Sequence, residues 1–205
     1  LHEGCPEKGA FVFYDCLCPS ENGPVNWGHC GIALEDGNVI HAWDQVRTDN
    51  YLAIERVKTV AGMLTKKLVE QGNQNVRVFP WNAELIFDEI KEGFVYSIYL
   101  NFVDPWPKKR HEKRRLTFIT FLEQYYRILR KGGRLYFKSD NDGLYEFTKE
   151  EIAKTKFKVV SDEEDYKFDE ATDYITEYEN KFRSIGKSIH RIILEKERVK
   201  YGTGN

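Results

Sequence analysis

The sequence predicts an α/β fold with a doubly wound sheet from about residue 50 onward, on three observations. Short apolar runs alternate with stretches of helical periodicity across residues 50–197, the strand–helix–strand order of such sheets. One run, FVYSIYLNF (94–102), is apolar at nearly every position, as a central parallel strand covered on both faces must be. The 205 residues, 41% of them hydrophobic and 14% aromatic, suffice for the core of one domain, or one domain with a small appendage.

The first fifty residues read differently. GAFVFYDC, WGHCGIALEDG and NVIHAWD suggest three short strands, with Glu35, Asp36, Gly37 and Asn38 as a hairpin turn. A helix-free β-rich segment does not belong to the doubly wound pattern. The composition break near residue 48 therefore divides an atypical segment, 1–48, from an α/β domain, 49–205. NYLAIE (50–55) is the next short buried strand. A helix follows, with Val57, Val60, Met63, Leu64 and Leu68 at helical spacing and Gly72 as its stop.

NVRVFPW (75–81) and FVYSIYLNF are strands. A helix over 116–133 carries Phe118, Leu122, Tyr125, Tyr126 and Leu129 on one side, with Gly132 and Gly133 as its cap. RLYFKSD (134–140) is a strand, GLYEFTKEEIAKT a helix, FKVVSD a strand, TEYENKFRSIG a short helix and SIHRIILEKE (188–197) a terminal strand. Ligands bind such sheets beyond the C-terminal ends of the strands, so whatever follows residue 102 lies at the mouth of the expected pocket.

Charge and cysteine content narrow the function. The net charge of −2 means that a polyanion must be met by a local patch. That patch is KKRHEKRR (108–115), in which six of eight residues are Lys or Arg. No apolar run approaches a membrane span and no signal-peptide pattern is present, so no membrane partner is expected. Cys5, Cys16, Cys18 and Cys30 lack paired C-x-x-C spacing; no metal site is expected, and reduced thiols of a cytoplasmic protein account for them.

The basic run sits directly behind Asp104 and Trp106, in a Pro-Trp-Pro segment that cannot be helix interior. Lys and Arg neutralise phosphates without reading sequence. An acid and an aromatic ring can grip an extruded base, the ring by stacking and the carboxylate by accepting from N–H donors.

YLNFVDPWPKKRHEKRRL resembles the signature of the bacterial tRNA (guanine-N7)-methyltransferases, and NYLAIERVKTV, LRKGGRLYFKSDNDGLYEF and TEYENKFRSIGKSIHRI resemble further segments of that family. The resemblance covers about residues 50–197. It implies a Rossmann-like S-adenosylmethionine-dependent methyltransferase sheet, with tRNA as partner, a cytoplasmic location, and a monomer or homodimer. Carried over by position, it implies Asp104 as the active-site acid, with Glu3, Gly4, Glu55, Asn82, Ala83 and Asn101 on the cofactor. It likewise implies Lys108, Asp140, Thr176 and Glu179 on the target nucleotide, with Arg110, His111, Lys113, Arg114 and Arg115 on tRNA phosphates. Asn82 stands where the family usually has Asp, and Ser139 where it has Thr.

The chemistry fits. Guanine N7 carries a free lone pair at neutral pH, so attack on an electrophilic methyl needs positioning and electrostatic control and no general base. Asp104 is accordingly an orienting acceptor, for the guanine edge or the cofactor. Simpler roles stand beside these: Glu55 as a strand-end charge, Asp140 and Asn141 as turn formers, and Thr176 with Glu179 as a capping box.

The sequence departs from the family at its start. LHEGCPEKGAF keeps Gly4, Cys5, Lys8, Gly9 and Phe11 of the glycine-rich cofactor loop, but Pro6 replaces a glycine and one residue is extra. The loop at 2–11 is thus degenerate, which makes a catalytically impaired tRNA-binding remnant or a chimera the alternative. Residues 9–50 resemble part of an NlpC/P60-like hairpin with His29 as the catalytic histidine. Cys5 lies too near the first strand to be its nucleophile, which places a cysteine hydrolase last.

Overall fold

The computed structural model describes residues 11–13, 16–18, 25–27, 29–33, 51–73, 75–168, 173 and 175–197, those before residue 34 by their backbone. The expected turn at 35–38 and the NVIHAWD strand lie outside the described residues. Among the described residues, four short strands precede residue 34: β1 (Phe11–Phe13), β2 (Cys16–Cys18), β3 (Val25–Trp27) and β4 (His29–Ala33). Then come β5 (Tyr51–Ile54), α1 (Lys58–Glu70), β6 (Val76–Phe79), β7 (Val95–Asn101), α2 (Ile119–Ile128) and β8 (Leu129–Ser139). The described residues close with α3 (Asp142–Ile152), β9 (Lys158–Glu163), α4 (Glu177–Ser184) and β10 (His190–Glu195).

Eight strands form one sheet in the order β6-β5-β1-β4-β7-β8-β10-β9, and β2 pairs with β3 apart from it. The pairs β5–β6, β1–β5, β1–β7 and β7–β8 are parallel, whereas β10 runs antiparallel between β8 and β9. Within the β-rich segment, β1 and β4 both pair in this sheet, β4 antiparallel to β5 and β7. Strand order reverses between β5 and β7. The C-terminal ends of those two strands therefore bound the crevice where ligands bind in such folds.

β7 earns its central place by composition. Val95, Ile98 and Leu100 are wholly buried, with Leu135 and Phe137 of β8 beside them and Leu122, Tyr125 and Ile128 of α2 above. Each such side chain contributes roughly 1.5–3 kcal/mol through burial. α1 packs through Val60, Ala61, Leu64 and Leu68, and Gly72 follows its end at φ +71°. Met63, expected on the buried face, is exposed, with Ala61 taking its place.

The helix expected over 116–133 is shorter than its pattern. It stops at Ile128, and Leu129, expected on its face, begins β8. Pairing with β7 jumps from Val95↔Leu129 to Ser97↔Arg134, so residues 130–133 form a bulge. Gly132 takes φ +75° there, and a Cβ on Gly133 would lie 2.8 Å from the Tyr96 carbonyl oxygen. The glycines serve a bulge, not a helix cap. Ahead of α2, the Ile119 amide donates to Glu151 Oε2 of α3 at 2.7 Å, which satisfies one of the amides a helix start leaves open.

Candidate active site

Immediately after β7 the chain turns sharply. Phe102 and Trp106 both adopt left-handed backbone angles, φ +54° and +41°, at a cost of ~1–3 kcal/mol each for residues with a Cβ. Three contacts hold this conformation. Asp104 Oδ1 accepts the Trp106 amide at 3.0 Å, and Arg115 donates to the Pro105 carbonyl at 2.9 Å and the Trp106 carbonyl at 3.1 Å. Between them, Lys109–Arg114 form a 3₁₀ turn. The Trp106 ring meets the guanidinium groups of Arg56 and Arg114 at 4.9 and 5.0 Å, with the His111 ring against it edge-on at 5.6 Å.

Two cavities open at this turn. One, of about 330 Å³, is lined by Glu55, Trp81, Asn82, Ala83, Asp104, Trp106 and Arg114 among others. The other, of about 370 Å³, is lined by Phe102, Asp104, Ser139, Asp140, Asn141 and Tyr178 among others. Glu55, Arg56 and Asp104 border both. Arg56 and Asp104 are half-exposed and paired at 3.6 Å across this shared border. Glu55 is buried, and its Oε1 accepts the Val57 amide at 2.6 Å. Burial drives its carboxyl up to about 7, against the opposing pull of that amide and of the Arg56 charge.

Comparison with known proteins gives this geometry its context. A putative methyltransferase family matches residues 30–192. A tRNA (guanine-N(7)-)-methyltransferase of Bacillus velezensis is 36% identical, over 82% of this chain and 78% of its own length. One of Mesoplasma florum is 40% identical, over 82% and 80%. The chain belongs to the tRNA (guanine-N7)-methyltransferase family. Among solved structures, PH0851 shares the fold at a TM-score of 0.50 and 16% identity, over 71% of this chain and 36% of that one. The methyltransferase match begins at residue 30, inside the hairpin-like segment, and the NlpC/P60 resemblance is not borne out.

The residues expected from the family resemblance are placed as follows in the structure. Glu55, Asn82, Ala83 and Asp104 meet in the first cavity, and Asp104 and Asp140 in the second. Asn101 is buried at the end of β7. Of the cationic run, Lys108, Arg110 and Lys113 are exposed outside both cavities, Arg114 reaches the first, and His111 is half-buried beside Trp106. Arg115 is spent on backbone carbonyls. Glu3 and Gly4, with the degenerate loop at 2–11, lie outside the described residues.

Thr176 and Glu179 are buried behind the second cavity. Thr176 Oγ1 accepts the Glu179 amide at 3.0 Å and so caps α4. The Glu179 carboxylate takes Lys138 Nζ at 3.0 Å and the Arg183 guanidinium at 2.7 Å, and Lys138 also pairs with Asp173. This cluster fixes α4, whose Tyr178 lines the cavity and donates to Asp140 Oδ1 at 3.2 Å. On the same rim Ser139 Oγ accepts the Asn141 amide, and Asn141 Oδ1 caps α3 by accepting the Leu144 amide.

The sequence reading missed Arg56, Trp81 and Tyr178. Arg56 follows the strand-end acid directly and Tyr178 sits inside T-E-Y-E, so adjacency to an expected residue was the available signal. No helix among the described residues is long and apolar enough to cross a membrane.

Proposed function

We propose that this protein methylates guanine N7 in tRNA, with S-adenosylmethionine in the first cavity and the target nucleotide in the second. The observation that carries the reading is that Asp104, the half-exposed carboxylate at the reversal point of the sheet, borders both cavities with a cationic run behind it.

The first cavity suits the cofactor. Glu55, buried at a strand end with its carboxyl held near 7, would accept from ribose hydroxyls, and Asn82 and Ala83 would flank the adenine, with Asn101 at the neighbouring strand end. The cofactor supplies an electrophilic methyl and, with it, a positive charge. Asp104 keeps an anion beside that charge as it passes from one cavity to the other, which is electrostatic catalysis without proton transfer. Asp140, paired with Tyr178, offers an acceptor for guanine N–H groups. Lys108, Arg110, Lys113 and Arg114 reach phosphates, while Arg115 holds the Asp104 turn in shape. A tRNA substrate suits a cytoplasmic enzyme.

The test is methyl transfer to an unmodified tRNA transcript, beside a transcript carrying 7-deazaguanosine at the modified site. Transfer to the first alone is expected, and Asp104→Asn should lower it at least tenfold. Transfer that persists on the 7-deaza transcript overturns the N7 assignment, and near-normal turnover of Asp104→Asn overturns the role of Asp104.

A further inference from the structure

Arg56 has no assigned role, yet it borders both cavities, pairs with Asp104 at 3.6 Å and lies 4.9 Å from the Trp106 ring centre. Where it stands, its guanidinium faces the carboxylate that the proposed transfer uses. The pair is long, single-contact and half-exposed, the kind that water and salt weaken most. Such a contact can be exchanged at little cost. The same guanidinium shares the Trp106 ring with Arg114, and Arg114 ends the exposed 3₁₀ turn of Lys and Arg. Arg56 therefore continues the cationic surface from that turn up to the border of the second cavity, although it lies 52 residues earlier than Lys108 in the chain.

We propose that Arg56 is a further tRNA-binding residue. On substrate binding its guanidinium leaves Asp104 for a phosphate next to the target nucleotide, and the Asp104 carboxylate is uncovered by the same event. The inference rests on the reading of Asp104 given above, and it makes full negative charge at the partition conditional on a nucleic acid being present. Arg suits this exchange, because its planar fork serves carboxylate and phosphate alike. The other anion that could draw Arg56 away is the carboxylate of the cofactor, so the test distinguishes the two.

The experiment measures equilibrium binding of an unmodified tRNA transcript between about 50 and 200 mM salt, for the wild type, Arg56→Gln and Arg56→Lys. Loss of one phosphate contact lowers the slope of log affinity against log salt by about one. The Arg56→Gln defect should then be about fourfold larger at the lower salt than at the higher. Arg56→Lys, which keeps the charge, should keep the slope. An unchanged slope in Arg56→Gln overturns the proposal. So does an unchanged slope accompanied by a fall in S-adenosylmethionine affinity measured by calorimetry, which identifies the cofactor carboxylate as the anion. Because the slope is read without turnover, failure of N7 methylation in the wild type and failure of the Arg56 contact give different results.

Discussion

Replacing Glu55 by Gln should remove a pH dependence from the stability of the fold. Glu55 is 4% exposed, and burial moves its carboxyl from 4.5 to about 7. Between these values the folded protein retains a proton that the unfolded chain has released. Stability therefore falls as pH rises through that window, and the loss is complete above 7. A gap of this size corresponds to about 3 kcal/mol. Gln keeps an acceptor for the Val57 amide but has no charge to bury.

Urea unfolding followed by tryptophan fluorescence, from about pH 4 to about pH 8, reads the effect as a difference between the two proteins. Other titrating groups then largely cancel. The two should agree at the acid end, and Glu55→Gln should gain up to about 3 kcal/mol at the alkaline end. A difference that stays flat across the range refutes the reasoning. Ribose hydroxyls favour the ionised carboxylate as their acceptor, so S-adenosylmethionine affinity of the wild type should climb with pH towards 7, and Glu55→Gln should lose that climb.

Arg115→Ala removes both carbonyl contacts that hold the Asp104 turn. It should cost about 2 kcal/mol in urea unfolding and lower kcat more than tRNA affinity, the reverse of a residue that only meets phosphate. Lys138→Met removes the cation shared by Glu179 and Asp173; because Arg183 still holds Glu179, the cost should be about 1–3 kcal/mol, seen as a drop in thermal midpoint. Gly133→Ala forces a Cβ to 2.8 Å from one carbonyl oxygen and 2.9 Å from another. The expected loss is about 1–3 kcal/mol, and a neutral variant would show that the bulge relaxes freely.

Much of this arrangement could be read from the residues in order. β7 is so uniformly apolar that it could only be a covered strand, and a strand ending in Asn-Phe-Val-Asp-Pro-Trp-Pro has to turn at once. Glu55, Asn82, Ala83 and Asp104 reach one cavity for that reason: each lies at or just beyond a strand's C-terminal end. Contacts that run against composition were not legible. Arg115 differs from Arg114 in no local property, yet it turns inward to two carbonyls while its neighbour faces the cavity. Glu179 reads as a capping partner; Arg183 pairs with it one turn on, but the approach of Lys138, 41 residues earlier, was not legible. Gly132 and Gly133 suit a helix cap or a bulge equally, since both use positive φ, and the pairing of β8 with β7 decides between them.

The six-residue 3₁₀ turn from Lys109 to Arg114 has one more consequence. It is roughly 12 Å long, begins on exposed lysine and ends on the arginine that touches Trp106. Arg115, the next residue, is bonded to the turn that carries Asp104. The proposed backbone grip and the proposed reacting centre are thus joined by one short stretch of chain. If its cations seat on phosphates as proposed, that stretch acts as a ruler, and the enzyme selects its guanine by distance along a folded RNA. Neighbouring bases would then matter little so long as the fold of the RNA keeps that distance.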